Sequence, residues 1–575
     1  MRRRVVGAVA AVLAAGMLAG CASVPGHSSV QVLRQIGDNG AAAVPAGPID
    51  DRDPLGLVRG FVYASGQPDD RHASARRFLA PQASNWDDGA SLTILDERFD
   101  TVFSPDGVTG DPNRATVRIR GTRLGTLDPF GAFEASPAPV DLDVGVVNRD
   151  GQWRIDGLPP GALVRGSDFR ANYRSLKAWF VDPVHRTVLA DPHYIPGART
   201  TALATRAVEV LLHGPSAGLQ GAATTAFPPG AKLRSNLTES ADGVVVLDLA
   251  GVDGLADADR RLLAAQLALT LAEVSIPRVR ILSDGEPLLP GRPDVGREDV
   301  VDLVAGPPAS APLAAMVIEN GRVRALGEAG QDTPLSGQAG NGSFFVTDAA
   351  SSSRTNRIAV VSREESGTQR LLTGPVDGQL TATPVSGGSL TSTTWNAAGD
   401  EVWVLADGVP QRVVVPGAGP ARQAPLDAGE ITSRGPVRDL VLSRDGTRVA
   451  AVAGGRALVG AVVTLPGGAV SVRQVRELRP AELDGVVAID WRAGDQLVVA
   501  ANSDRPVSLV SVDGLTLDPM PSVNLTSPLR TVAAAPGRAM YVADRTGVWS
   551  FAGGDLDAWR QALGATSDAR PFYPS

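Results

Sequence analysis

The chain is 575 residues long, room for three or four domains of ordinary size. A hydrophobic content of 43% excludes a disordered chain, and a formal net charge of −8 excludes binding to nucleic acid through overall charge. One cysteine, Cys21, rules out a disulfide within the chain, so packed cores must supply the stability.

The first element is a targeting segment. Arg2, Arg3 and Arg4 form a positive head, and Val5 to Gly20 then runs 16 residues without a charge. A membrane-spanning helix needs roughly 20 apolar residues, so this run is short for a span and suits a secretory signal. It ends in Leu18-Ala19-Gly20-Cys21, which resembles the lipobox of bacterial lipoproteins. Small residues let the backbone enter a peptidase cleft, and a thiol is a better nucleophile than a hydroxyl for taking a diacylglyceryl group. The expectation is a signal peptide over 1–20 and a mature chain that starts at Cys21 as an S-diacylglyceryl, N-acyl cysteine. Two acyl chains hold stably in a bilayer where one is marginal. No later apolar run is long enough to cross, so lipid on Cys21 is the expected membrane contact and the remaining chain is expected on the extracytoplasmic side. The alternative is an ordinary signal peptide with a chance cysteine.

Residues 21–53 lack apolar periodicity, and "DNGAAAVPAGPIDDRD" reads as a flexible tether. From Asp53 the pattern changes, with Leu55, Val58, Phe61 and Val62 at helical spacing and a second helical piece over about His72 to Leu79. Strand-like runs follow at 115–121, 139–148 and 152–155, with "NRDG" at 148–151 as a hairpin turn. Helices followed by a meander that ends in W-R-I resemble the nuclear-transport-factor-like cone fold, here over 54–170. Some members of that fold carry a pocket His–Asp pair. The one histidine here, His72, is expected on a surface helix, which favours a structural or binding domain.

A second unit is expected over 176–290. "LKAWFVD" and "RTVLADP" read as strands joined by a turn at Asp182-Pro183. Thr200 to His213 reads as a helix stopped by Gly214-Pro215. "GVVVLDLAG" at 243–251 alternates as a half-buried strand, and Asp257 to Val274 carries a helical stripe of Leu263, Leu267, Leu271 and Val274. "PRVRILSDG" at 277–285 closes the unit. This order resembles the GerMN domain over about 110 residues, which implies an extracytoplasmic α+β domain with no chemistry to carry over.

"VAGPPASAPL" lies in a linker expected over 291–313, and residues 314–575 are short strands with glycine-rich turns. Strands open at Ile358, Val402, Val449, Leu497 and Met540, at steps of 44, 47, 48 and 43 residues. A period of 40–50 residues built as strand, D-G type turn and strand points to β-propeller blades. "LSRDG" resembles the turn of TolB-like propellers. Five repeats are visible, so five blades are expected, with six as the alternative. The hairpin "MVIENGRVRAL" at 316–326 is expected to complete the last blade and lock the ring. A β-sandwich or solenoid is the competing architecture.

No catalytic signature is present: no G-x-S-x-G, no H-E-x-x-H, no Walker A run and no cysteine pair. His185 and His193 sit in the similar pieces "DPVH" and "DPHY" and would meet across a hairpin to hold a metal, but Asp-Pro pieces are ordinary turns and no third ligand is evident. No metal, cofactor or catalytic residue is therefore expected. "GAG" at 417–419 lacks the rest of a nucleotide fingerprint, and Asn236 and Asn524 match the glycosylation pattern only by chance. Trp395, Trp403 and Trp491 read as blade packing rather than sugar platforms.

The order of lipobox, tether, cone-like domain, GerMN domain and propeller resembles the actinobacterial LpqB lipoprotein family. The resemblance implies an accessory protein of the MtrA–MtrB two-component system, in contact with the extracytoplasmic part of the sensor kinase in cell-wall homeostasis and division. The residues by themselves imply less: a lipid-anchored multidomain binding protein facing the wall. Its rivals are an envelope enzyme acting on wall glycan through the propeller, and a receptor for a soluble ligand. An enzyme should gather Asp, Glu, His or Arg at the propeller mouth, whereas a scaffold should expose a patch on a domain face.

Overall fold

Asp53 sets the start of the first helix. Its carboxylate accepts the Gly56 N–H at 2.6 Å, and Pro54 at the first helical position gives up no hydrogen bond. The computed structural model describes residue 48 and residues 53–105, 111–197, 200–306, 313–327, 333–553, 558–565 and 568–575. The signal peptide, Cys21 and the tether up to residue 47 lie outside these.

Helix α1 (Pro54–Ser65) buries Leu57, Val58, Phe61 and Val62. Helix α2 (Asp69–Arg76) follows, then strands β1 (Leu92–Phe103), β2 (Arg114–Leu127), β3 (Phe133–Arg149), β4 (Gln152–Gly157) and β5 (Ala162–Arg165). They form one sheet in the order β4-β3-β2-β1-β5, antiparallel except for the parallel pair β1 and β5. The expected helix-then-meander order is present, with β1 and β5 in addition. Strand β1 lacks a clean alternation because Asp96, Glu97 and Arg98 are exposed where its register slips between Leu95 and Phe99. His72 corrects an expectation. It is buried, 6% exposed, with its ring 6.1 Å from that of Trp86. Asp70, Arg71 and His72 all take positive φ, a left-handed turn that breaks the helical phase and carries the ring inward.

Helix α3 (Gly166–Asn172) leads into the hairpin β6 (Tyr173–Asp182) and β7 (Thr187–Pro196). Asp182 makes the turn by accepting the Val184 and His185 N–H groups at 2.8 and 3.2 Å. Asp191-Pro192 is not a turn but lies inside β7. Helix α4 (Thr200–His213), strand β8 (Val245–Ala250), helix α5 (Asp257–Glu273) and strand β9 (Arg278–Ser283) complete the second core. Leu247 and Leu249 of β8 are buried, as are Leu263, Leu267, Leu271 and Val274. Every residue from Leu262 to Leu271 is buried, so α5 is a central helix rather than an amphipathic cover.

The strands after residue 313 form six sheets around one axis. Their innermost strands are Phe345–Ser352, Leu390–Trp395, Val437–Leu442, Val486–Ala493, Thr531–Ala533 and Arg570–Phe572, and each packs on the next to close the ring. The five repeats mark the second strands of five blades. The sixth blade is composite: Met316–Glu319 and Arg322–Ala325 pair with each other, and Arg570–Phe572 pairs with Met316–Ile318 as the inner strand. The hairpin therefore does not complete the last periodic blade, which already has four strands ending at Arg560–Leu563. The C-terminal strand completes the hairpin's blade instead. A blade split between two distant segments has no period, which is why five repeats give six blades. Trp395, Trp403 and Trp491 are buried between blades, at 0%, 1% and 1% exposure. The indoles of Trp395 and Trp491 donate to the Ala350 and Val441 carbonyls of the preceding blade at 3.0 and 3.2 Å.

Candidate functional site

The propeller centre does gather ionisable groups. A cavity of about 120 Å³ is lined by Asp348, Asp439, Asp490, Arg444, Arg570 and Tyr573, among others. Each carboxylate comes from an inner strand and reaches the next blade. Asp348 accepts the Thr393 N–H at 2.9 Å, Asp439 that of Ile489 at 3.0 Å, and Asp490 that of Ala534 at 2.7 Å. Arg444 donates to the carbonyls of Trp491, Ala534 and Pro574 at 3.0, 2.9 and 3.3 Å. Burial pushes the Asp439 carboxyl up, and pushes that of Asp490 up to about 6. The group thus has the composition of an active site, but its atoms are engaged in joining blade to blade. The sequence reading missed these latches because Asp348, Asp439 and Asp490 stand in otherwise strand-like runs with no shared motif.

The two singled-out histidines do not meet. His185 is in the hairpin turn, while His193 sits opposite Leu176, six residues along β7 and about 20 Å away at strand spacing. No group of three or more metal-ligating side chains occurs among the described residues. Each histidine instead has its own carboxylate and faces the propeller. His185 Nδ1 lies 2.6 Å from Asp182. That hydrogen bond, against a smaller effect of burial, raises its pKa, and Asp400 and Glu401 of the propeller act in the same direction.

His193 belongs to a buried network that ties three domains together. Its Nε2 is 3.4 Å from Asp191, a charge contact rather than a formed hydrogen bond, and its Nδ1 is 3.0 Å from the Phe130 carbonyl of the first domain. Asp191 accepts Arg448 Nη2 of the propeller at 3.0 Å, and the Ser216 N–H and hydroxyl at 2.8 and 3.1 Å. Burial pushes the Asp191 carboxyl up, but His193, Arg448 and Ser216 outweigh it and bring the pKa down to about 2. For His193 burial lowers the pKa, and Asp191 more than reverses this. Beside the network, Tyr194 donates its hydroxyl to Asp513 of the propeller at 2.8 Å, and Lys177 pairs with Asp495 at 3.0 Å. Arg448 was missed. The available signal was an arginine opening "RVAAVA", a strand buried at every position.

The fold defines a class: an α+β domain and a GerMN-like domain locked by buried charge onto a six-bladed propeller. Residues 47–170 match the LpqB lipoprotein N-terminal domain, 177–289 a sporulation and spore germination domain, and 323–574 the LpqB lipoprotein β-propeller domain. Lipoprotein LpqB of Rhodococcus opacus strain B4 is 32% identical over 100% of this chain and 98% of its own length. That of Mycolicibacterium smegmatis is 33% identical over 93% and 94%. The chain belongs to the LpqB lipoprotein family. Among solved structures, a chain of the nidogen/laminin complex aligns with 46% of this chain and 98% of its own at 9% identity and a TM-score of 0.34, a likeness that carries no argument about function.

Proposed function

We propose that the chain is a lipid-anchored extracytoplasmic accessory protein that acts by binding, not catalysis, and that its partner is the extracytoplasmic part of an MtrB-like sensor histidine kinase. The observation that carries this reading is the lipobox Leu18-Ala19-Gly20-Cys21 at the head of a chain whose full-length relatives are named lipoproteins. No helix among the described residues is long and apolar enough to cross a membrane, so lipid on Cys21 is the proposed anchor. A partner in the same bilayer is met at high effective concentration, so a weak contact is enough for occupancy. The kinase is nominated by the family resemblance.

Crosslinking in native membranes, with identification of the captured protein, tests the partner. Capture of the kinase, reduced when Cys21→Ala removes the lipid, is expected. Unchanged kinase output on depletion of the lipoprotein would overturn it. An envelope enzyme is the second reading, because Asp490 is held near a pKa of 6 in the propeller cavity. Turnover of wall glycan by the purified protein, abolished by Asp490→Asn, would put that reading first.

A further inference from the structure

A cleft of about 570 Å³ opens where the three domains meet. Its lining includes Asp128 and Glu134 of the first domain, Asp191 of the second, and Glu430, Arg476 and Asp513 of the propeller. Clefts of this size at domain junctions are common ligand sites. Most of the charged groups here already have work. Asp128 accepts the Phe130 and Ala132 N–H groups at 2.8 and 2.9 Å. Asp191 is held by Arg448 and Ser216. Asp513 accepts from Tyr194, Ser511 and Leu515 at 2.8, 2.5 and 3.0 Å. Glu430 accepts the Val475 N–H at 3.0 Å and lies 3.8 Å from Arg473.

Two charges are left over, and they have opposite sign. Arg476 forms no ion pair among the described residues. It donates Nη2 to the Val512 carbonyl at 2.9 Å, and its buried Nε has no partner. The guanidinium lies against Gly218, where an added Cβ would stand 2.0 Å from Nη1, so a side chain there would displace it. Glu134 is exposed, and its carboxylate has neither a hydrogen bond nor an ion pair among the described residues. Both line the cleft, and they form no ion pair with each other.

We propose that the cleft binds a zwitterion, an amino acid or short peptide, with its carboxylate on Arg476 and its ammonium group on Glu134. A guanidinium offers a carboxylate a planar fork of donors, and a buried one without a carboxylate partner gains most from it. A simple anion fits poorly because Asp191 and Asp513 stand beside Arg476. A zwitterion brings its own compensating charge and places it at the acidic rim.

The test uses the chain from Ala22 onward, without lipid, and four probes: L-alanyl-L-alanine, its N-acetyl form, its C-terminal amide and acetate. Calorimetry should show millimolar or tighter binding of the free dipeptide, weaker by about tenfold or more when either end is blocked, and none for acetate. Arg476→Lys should lose the dipeptide while keeping the charge, and Glu134→Gln should lose discrimination against the N-acetyl form. Glu134 is exposed, so its variant reports on binding without a folding defect. No binding of the free dipeptide by the wild type overturns the proposal, and so does binding insensitive to end-blocking or to Glu134→Gln.

Discussion

Cys21 and Arg448 are the two side chains on which the most depends, for different reasons. Cys21→Ala removes the only thiol. The expected outcome is loss of fatty-acid label, with accumulation of unprocessed precursor or, where another peptidase cuts, release of soluble protein, read by metabolic labelling and gel shift. Equal label on wild type and variant would refute the anchor. Arg448 is 1% exposed and answers the buried charge of Asp191. Arg448→Ala leaves that charge unpaired and should cost about 3–5 kcal/mol in denaturant unfolding of the whole chain. In the isolated ring, where Asp191 is absent and Arg448 keeps only the Gly494 carbonyl and Asp445, the same change should cost much less. The network also predicts a pH window. Asp191, lowered to about 2, contributes stability above its unfolded value of 3.8 that is lost as pH falls toward 2. His193, raised above 6.5 by Asp191 with Asp128 and the Phe130 carbonyl adding to it, contributes stability that is lost as pH rises beyond its folded value. Stability against pH should therefore fall at both ends; His193→Gln should flatten the alkaline limb and also shrink the acid limb, because His193 helps hold the Asp191 pKa down.

At the scale of elements, the composite blade gives the sharpest expectation. Deleting 316–326 removes two strands of one four-stranded sheet, and truncating after Asp568 removes a third. Each should lower the melting temperature strongly, and the double deletion should be little worse than either alone, because the second change removes contacts already lost. Additive losses would contradict a shared blade. The repeats themselves were legible because a glycine turn, at Gly399, Gly446, Gly494 and Gly537, stands three residues before four of the five second strands. Gly446 shows why: at φ +79° it closes its turn in a conformation that costs other residues strain. The composite blade was not legible because a pairing between residues 316–318 and 570–572 leaves no local pattern. The left-handed turn at 70–72 was hidden for a related reason, since Asp, Arg and His at those positions carry no sign of positive φ.

At the scale of the molecule, the chain from residue 53 onward should unfold in a single cooperative step. The first two domains are tied to the ring through Arg448, Lys177 and Tyr194, and separating them would strand buried charge. Calorimetry should give one transition in the wild type and two in Arg448→Ala. Two transitions in the wild type would show that the junction is weaker than its contacts imply. Domain order was legible from strand and helix periodicity, each domain being built mostly from local pairings. The junction was not, because its partners are 257 residues apart for Arg448 and Asp191, and only the folded chain brings them together.

The split blade also sets a clock on biogenesis. A chain that emerges from its first residue onward presents the 316–325 hairpin early, with the inner edge of that sheet unpaired. The edge stays open while five further blades form, and only residues 570–572 can cover it from within the chain. An open strand edge is the part of a folding intermediate most prone to wrong pairing. A product cut short before the final strand therefore keeps this edge open, while the finished chain closes it with its own last strand.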